Sequence, residues 1–269
     1  MSYEGLWTLV TGAGKRGRVG AKIARHMAER GSNIYLHYRS NKAEAEEVKK
    51  EVETAGEKNH VSVELVHGDL SNEEDVAAMF ESIAPDIVIH NAAVFEPNNV
   101  PKDATLTEHL KSHAETLQKN LDANTKAVHL VTEAALYRMQ KEGKVGTIIF
   151  IGDAFISKNG VYPENLTAYT ASKSFIENIV RQYAKAYGKK GFRFFGILNG
   201  PIEPPPSAPA QTVQDIQDEI PLPEESLDPW IGGEAVAEAI DHVLQSKGIN
   251  GESIAVDGGR AWETGSEHE

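Results

Sequence analysis

Seven apolar runs, near 6–11, 33–38, 61–67, 86–91, 146–152, 193–198 and 253–256, are separated for the most part by stretches with helical periodicity. Strands that alternate with helices return to the sheet through a crossover, so they run parallel and the helices cover both faces. The fold class expected is therefore α/β: one doubly wound domain over residues 1–269 with a mainly parallel, seven-stranded sheet. Right-handed crossovers put a ligand at the carboxyl ends of the strands, near the switch in strand order. Gly12, Asn91, Asp153 and Gly200 all fall just beyond such ends. No internal repeat or linker divides the chain, and one α/β domain accommodates 269 residues.

The first run, LWTLV, leads into TGAGKRGRVGAKIARHMAERG, a glycine-rich turn that opens into a helix with Val19, Ile23 and Met27 at helical spacing. Glycine lets the main chain approach a pyrophosphate, which then lies against the N–H groups and the positive dipole end of that helix. Such a turn is expected at the start of a Rossmann-like dinucleotide unit, although alone it is only moderately specific. A site for NAD would carry an Asp or Glu about 20 residues beyond the glycines to hold the ribose diol. Arg39 and Ser40 stand there instead, with no acid before Glu44, and Lys15, Arg16 and Arg18 add positive charge in the turn. Guanidinium groups suit a 2′-phosphate, so NADP(H) is the cofactor expected. The plainer alternative is that these are solvated surface cations.

Tyr169 and Lys173 lie four apart in TAYTASKSFIENIVRQYAKAYG, which places both on one face of a helix. A nearby ammonium favours phenolate, and this pairing is expected to lower the phenol's pKa toward the working pH, as a proton donor requires. Alone, such a pair is usually a pair of neighbours.

Further segments follow in order: GDL (68–70), HNAA (90–93), Asn120, NGP (199–201) and VDGG (256–259). With these, the chain resembles the short-chain dehydrogenase/reductases from Leu6 to about Trp262. Within that family, the KR of the glycine turn, the HYRS after the second strand and the Asp of FIGDA are most similar to the pteridine reductase and dihydromonapterin reductase branch. The resemblance implies that Tyr169 is the acid that protonates the developing alkoxide or amide. It implies that Lys173 tunes that phenol and binds the nicotinamide ribose, and that Asn120 holds a water linking the lysine to solvent. Cofactor contacts are implied at Gly12, Arg18, Val19 and Gly20 in the turn, at Tyr38, Arg39 and Ser40 after the second strand, and at Asp69 and Leu70 beside the adenine. Asn91, Ala92 and Ala93 are implied along the ribose, and Gly200 and Ile202 beneath the nicotinamide together with Tyr169 and Lys173. The family also implies a homotetramer, or a homodimer, built on the two long helices that begin near 107 and 168.

Two departures bear on the chemistry. The glycine turn is two residues longer than the family's pattern, with Arg18, Val19 and Gly20 where its last glycine pair would fall. The Ser that completes the family's catalytic set is replaced at the strand end by Asp153, while Ser157 lies farther along. A hydroxyl donates to a carbonyl, but a carboxylate only accepts. Asp153, the favoured choice, would have to be protonated or meet an NH-bearing ring such as a pterin or cyclic imine. In the alternative, Ser157 orients a ketone and Asp153 caps a loop. The resulting expectation is an NADP(H)-dependent reductase of a small planar C=N or C=O substrate. A 3-oxoacyl-carrier-protein or general carbonyl reductase, and a catalytically silent NADP(H)-binding regulator, are the alternatives.

A formal charge of −13 argues against nucleic acid or an anionic membrane as partner. The absence of Cys removes disulfides, thiolate nucleophiles and zinc–thiolate sites. A strand candidate within ten residues of Met1 and the lack of a long apolar run lead to a cytoplasmic protein as the expectation. His109 and His113 share a helix face, but no third ligand is spaced with them, and no metal is expected. The proline-rich stretch 201–230 breaks the pattern and is expected to border the substrate pocket, with Trp230 placed to stack on a planar ring; 263–269 is a polar tail.

Overall fold

Each apolar run becomes a strand: β1 (Trp7–Val10), β2 (Asn33–Tyr38), β3 (Val63–His67), β4 (Ile87–His90), β5 (Thr147–Asp153), β6 (Arg193–Asn199) and β7 (Glu252–Val256). All neighbours pair in parallel, in the order β3-β2-β1-β4-β5-β6-β7. The computed structural model describes residues 2–157, 162–200 and 232–259. The proline-rich stretch with Ile202 and Trp230, and the tail 263–269, lie outside them.

The strands alternate with α1 (Val19–Glu29), α2 (Lys42–Gly56), α3 (Glu73–Ser82), α4 (Leu106–Leu121), α5 (Ala127–Lys141), the short α6 (Ala154–Ser157), α7 (Thr167–Lys173), α8 (Ile176–Tyr187) and α9 (Gly233–Gln245). β5 shows why the sheet needs cover on both sides. Ile149 and Ile151 pack with α1, α2 and α9 on one face. Ile148 and Phe150 pack with α3, α5 and α8 on the other. Each such side chain contributes about 1.5–3 kcal/mol by leaving water, so consecutive apolar residues in β5 are all used. In α1, Val19, Ile23 and Met27 are the buried stripe that the helical spacing predicts.

From β1 the chain winds outward through β2 to β3, then returns to the opposite side of β1 as β4. The crevice where strand order reverses lies at the carboxyl ends of β1 and β4, where Gly12 and Asn91 sit.

Candidate active site

The floor of that crevice is tied together by the residues that follow β1 and β4 and by His37 of β2. Thr11 Oγ1 accepts from the N–H groups of Asn91 and Ala92, both at 3.0 Å. Asn91 Nδ2 donates to Thr11 O at 3.0 Å and to Gly12 O at 3.3 Å. Gly12 has φ +65°, and a Cβ there would lie 2.8 Å from Ala92 Cα, so only glycine brings the turn this close to β4. Gly20 leaves no room for a Cβ either, since it would fall 2.5 Å from Asn91 Nδ2 and 2.8 Å from the Gly12 backbone oxygen. His37, in β2, accepts from Gly12 N–H through Nδ1 and contacts Gly68 O through Nε2, each at 3.0 Å. Burial pushes His37 down to about 4, so the neutral ring joins the glycine turn to the GDL segment.

A cavity of about 870 Å³ opens over this floor. Of the predicted cofactor residues, Gly12, Arg18, Tyr38, Arg39 and Ser40 line one end, and Asp69, Leu70, Asn91, Ala92 and Ala93 continue the wall. Val19 and Gly20 form the first turn of α1, whose N-cap, Arg18, makes no side-chain cap. Tyr169, Lys173 and Gly200 do not line this cavity. Gly200 holds the end of β6 against β7, its N–H donating to Val256 O at 2.8 Å.

The expected positive charge is present at Lys15, Arg18 and Arg39, which line the cavity. Arg16 is a correction. Its guanidinium binds Glu51 at 2.6 Å and Glu47 at 3.5 Å, and its N–H donates to Glu44 Oε1 at 3.2 Å. It staples the lengthened turn to α2 instead of facing a phosphate, because one face of α2 presents three carboxylates to it. Glu44 itself lines the cavity, also accepting from Asn41 Nδ2 at 3.0 Å, so an acid does border the adenosine end.

At the end of β5 the Asp153 carboxylate is buried and fully engaged. Its Oδ2 accepts from Tyr169 OH and from Tyr162 OH, both at 2.9 Å, and its Oδ1 from Ile156 N–H at 3.2 Å. Among the described residues no hydrogen bond joins Ser157 to Tyr169, so Asp153 is the group beside the phenol. Lys173 is buried on the same helix and donates from Nζ to Ile151 O at 3.0 Å. The expected lowering of the Tyr169 pKa is overturned. Burial, then the charges of Asp153 and Tyr162 and the hydrogen bond to Asp153, hold the phenol well above its ordinary value. Burial pushes the Lys173 ammonium down to about 8, with Asp153 pulling the other way. The phenol therefore keeps its proton and points it at a carboxylate.

Around this pair stand aromatic rings that spacing did not single out. Phe95, 56% exposed, meets Tyr169 at 4.6 Å between centroids and 65°, and Tyr162 at 6.3 Å and 71°. Tyr162 meets Tyr169 at 5.8 Å and 84°, and Phe155 at 5.1 Å and 70°. Phe95 stands between Val94 and Glu96, which line the cavity, so the phenol and the dinucleotide crevice are neighbours.

Asn120, the predicted holder of a water beside Lys173, turns elsewhere. Its Nδ2 donates to Glu96 O at 3.0 Å and Thr116 O at 2.9 Å, its buried Oδ1 has no partner, and no hydrogen bond joins it to Lys173. Asn124, four residues on, reaches the helix that carries Tyr169 and Lys173. It lies in the π-helical turn Asp122–Lys126 between α4 and α5. Its Oδ1 accepts from Val94 N–H at 2.7 Å, and its Nδ2 donates to Val94 O at 2.8 Å and to Ser172 Oγ at 2.9 Å. The resemblance pointed to Asn120 alone; the π turn that sets Asn124 toward Val94 and Ser172 is not legible in the sequence.

A family model described as enoyl-(acyl carrier protein) reductase matches residues 12–261. The chain belongs to the short-chain dehydrogenase/reductases. Among its relatives, the L-rhamnose-1-dehydrogenase of Scheffersomyces stipitis is 28% identical over 258 residues, 90% of this chain and 91% of that protein. The chloroplastic NADPH-dependent aldehyde reductase-like protein of Arabidopsis thaliana is 28% identical over 213 residues, 75% of this chain and 74% of that one. In fold, a short-chain type dehydrogenase/reductase from Mycobacterium ulcerans superposes with a TM-score of 0.81 at 22% identity, covering 97% of this chain and 92% of the other.

As a short-chain dehydrogenase/reductase the protein is an oxidoreductase of a family that uses nicotinamide cofactors. Its cavity fits such a dinucleotide on its own evidence: backbone clearances at Gly12 and Gly20 that a Cβ would fill, the α1 N-terminus, and three cations on the wall. Among the described residues no group of three or more His, Asp or Glu stands ready for a metal. The rings of His109 and His113 lie 4.4 Å apart between centroids and are tilted by 40° to each other. No described helix is long and apolar enough to cross a membrane.

Proposed function

We propose that this short-chain dehydrogenase/reductase is an NADP(H)-dependent reductase of a small planar C=N or C=O compound, with a pteridine-type ring as the first substrate to try. The observation that carries this reading is the Asp153 carboxylate accepting from Tyr169 OH at 2.9 Å where the family's pattern has a serine. A carboxylate favours ring N–H groups over a bare carbonyl oxygen. Lys15, Arg18 and Arg39 support a 2′-phosphate on the cofactor. Bound there, the reduced nicotinamide supplies a hydride. Tyr169 holds the proton that a developing alkoxide or amide would take, and Asp153 and Tyr162 orient it. Lys173, four residues on from Tyr169 along the same helix, holds its ammonium against Ile151 O. Asn124 fits the positioning role better than Asn120, because its side chain reaches Ser172, next to Lys173.

A second reading, reduction of an aldehyde or ketone, is favoured by the description of the Arabidopsis relative as an aldehyde reductase-like protein. It needs a protonated Asp153 or a donating Ser157. A panel of dihydropterins and cyclic imines against aldehydes and acetoacetyl thioesters, with NADPH oxidation followed, separates the two. No turnover of any pterin or imine removes the first reading, and NADPH binding without any turnover points to a regulator instead. For the cofactor, Arg39→Ala is expected to weaken NADPH by about tenfold or more, measured by nucleotide fluorescence, while NADH changes little. Equal losses contradict the phosphate site.

A further inference from the structure

The glycine turn rests on the end of β2 at three successive residues. Gly12 N–H donates to His37 Nδ1 at 3.0 Å, Ala13 N–H donates to His37 O at 2.9 Å, and a Cβ on Gly14 would lie 2.5 Å from Tyr38 Cβ. On its other side the His37 ring meets Gly68 O through Nε2 at 3.0 Å. A backbone N–H only donates and a carbonyl only accepts, so both contacts are hydrogen bonds in one tautomer, with Nδ1 bare and the proton on Nε2. Burial favours the neutral ring that this tautomer needs, and His37 is 2% exposed. The ring therefore fixes the separation between two walls, the turn that suits a pyrophosphate and the GDL segment. Both border the cavity, together with Arg39 and Ser40.

We propose that His37 is a positioning residue for the adenosine-diphosphate half of the nicotinamide cofactor, and that its two hydrogen bonds set how tightly the dinucleotide is held. Both ring nitrogens are spent on backbone groups, so His37 acts through Gly12 and Gly68 and not on the ligand itself. Without the ring, the Gly12 N–H and the Gly68 carbonyl lose their shared partner and the two walls are no longer held at a fixed distance. Ordering them then falls to the binding step, and that cost is subtracted from the affinity. An uncharged ring that reaches only the backbone does not tell a 2′-phosphate from a hydroxyl. The inference therefore holds for NADH as for NADPH, and rests on neither the phosphate reading nor the pteridine reading.

Equilibrium binding to the full chain is followed by nucleotide fluorescence for NADPH and NADH, and by calorimetry for ADP, which lacks the nicotinamide half. His37→Leu is expected to weaken all three by about tenfold or more, with the ratio of NADPH to NADH affinity within about twofold of the natural protein's. His37→Asn puts an amide oxygen near the place of Nδ1, and His37→Gln an amide nitrogen near that of Nε2, so each keeps one bond and should recover part of the loss. Long-range nitrogen–proton NMR is expected to show an imidazole with bare Nδ1 and protonated Nε2 that is missing from each variant; the opposite tautomer overturns the inference. Should His37→Leu fail to fold, the other two decide, and affinities within about twofold of the natural protein in both overturn it. A loss for NADPH with NADH unchanged assigns the ring to the phosphate and does the same, as does a lowered thermal midpoint with unaltered affinities. If the natural protein binds none of the three, the cofactor is removed and the inference with it.

Discussion

At the scale of single residues, the chemistry is decided by what each side chain faces. Lys173 is buried on the helix of a phenol that donates a hydrogen bond to a carboxylate, and its own ammonium meets a backbone carbonyl, so its cationic form loses solvation without a direct ion pair. Its pKa is lowered to about 8 from 10.5, so between these values the unfolded chain binds more protons than the folded one. The cost of burying the ammonium is complete below the lower value and disappears above the upper one, and this residue's contribution makes the fold more stable as pH rises through that window. A titration of isotope-labelled lysines by NMR is expected to show one ammonium with a midpoint near 8, absent in Lys173→Met. Tyr169 carries the other test. With a carbonyl substrate, Tyr169→Phe should reduce the catalytic rate by about 100-fold or more, and a loss under about tenfold denies it the donor's role.

At the scale of elements, the π turn Asp122–Lys126 joins α4 to α5 at the cavity wall, which Asp122 and Ala123 line. An extra residue in one helical turn redirects the side chains that follow, and π turns recur at functional sites for that reason. It turns Asn124 toward Val94 and Ser172, bridging the loop after β4 and the helix that carries Tyr169. Asn124→Ala leaves buried polar groups without partners and is expected to cost about 1–3 kcal/mol in urea unfolding. It should also lower turnover, whereas Asn120→Ala, whose side chain serves the Glu96 and Thr116 carbonyls, should lower turnover less. Comparable turnover in the two variants would return the role to Asn120. The glycine turn illustrates the same point at the other end of the crevice, where Arg16 belongs to α2 through Glu47 and Glu51.

At the scale of the whole molecule, the sheet's order places chemistry from distant segments around one crevice, and the two apolar layers keep it rigid. Ile149 lies at the centre of β5 with no exposed surface. Ile149→Ala is expected to lower unfolding stability by about 2–5 kcal/mol, without altering the ratio of NADPH to NADH affinity, since the residue faces the α1, α2 and α9 layer and not the cavity. A changed ratio would show that the core and the cofactor wall are coupled.

Apolar periodicity by itself determined the seven strands, their parallel sense and the helices on both faces, because burial depends on spacing along the chain and little else. The glycine-rich turn marked Gly12 and the spacing of four marked Tyr169 and Lys173, whereas Asn91 and Asp153 came from the resemblance to the family and fall at strand ends as it implies. The tertiary structure alone decided which charges are spent and which remain. It gave Arg16 to Glu47 and Glu51, turned Asn124 instead of Asn120 to Ser172 on the helix of Tyr169, and brought Phe95 and Tyr162 to Tyr169. Those outcomes depend on distances between residues far apart in sequence, and electrostatic and hydrogen-bond energies follow those distances rather than the spacing along the chain.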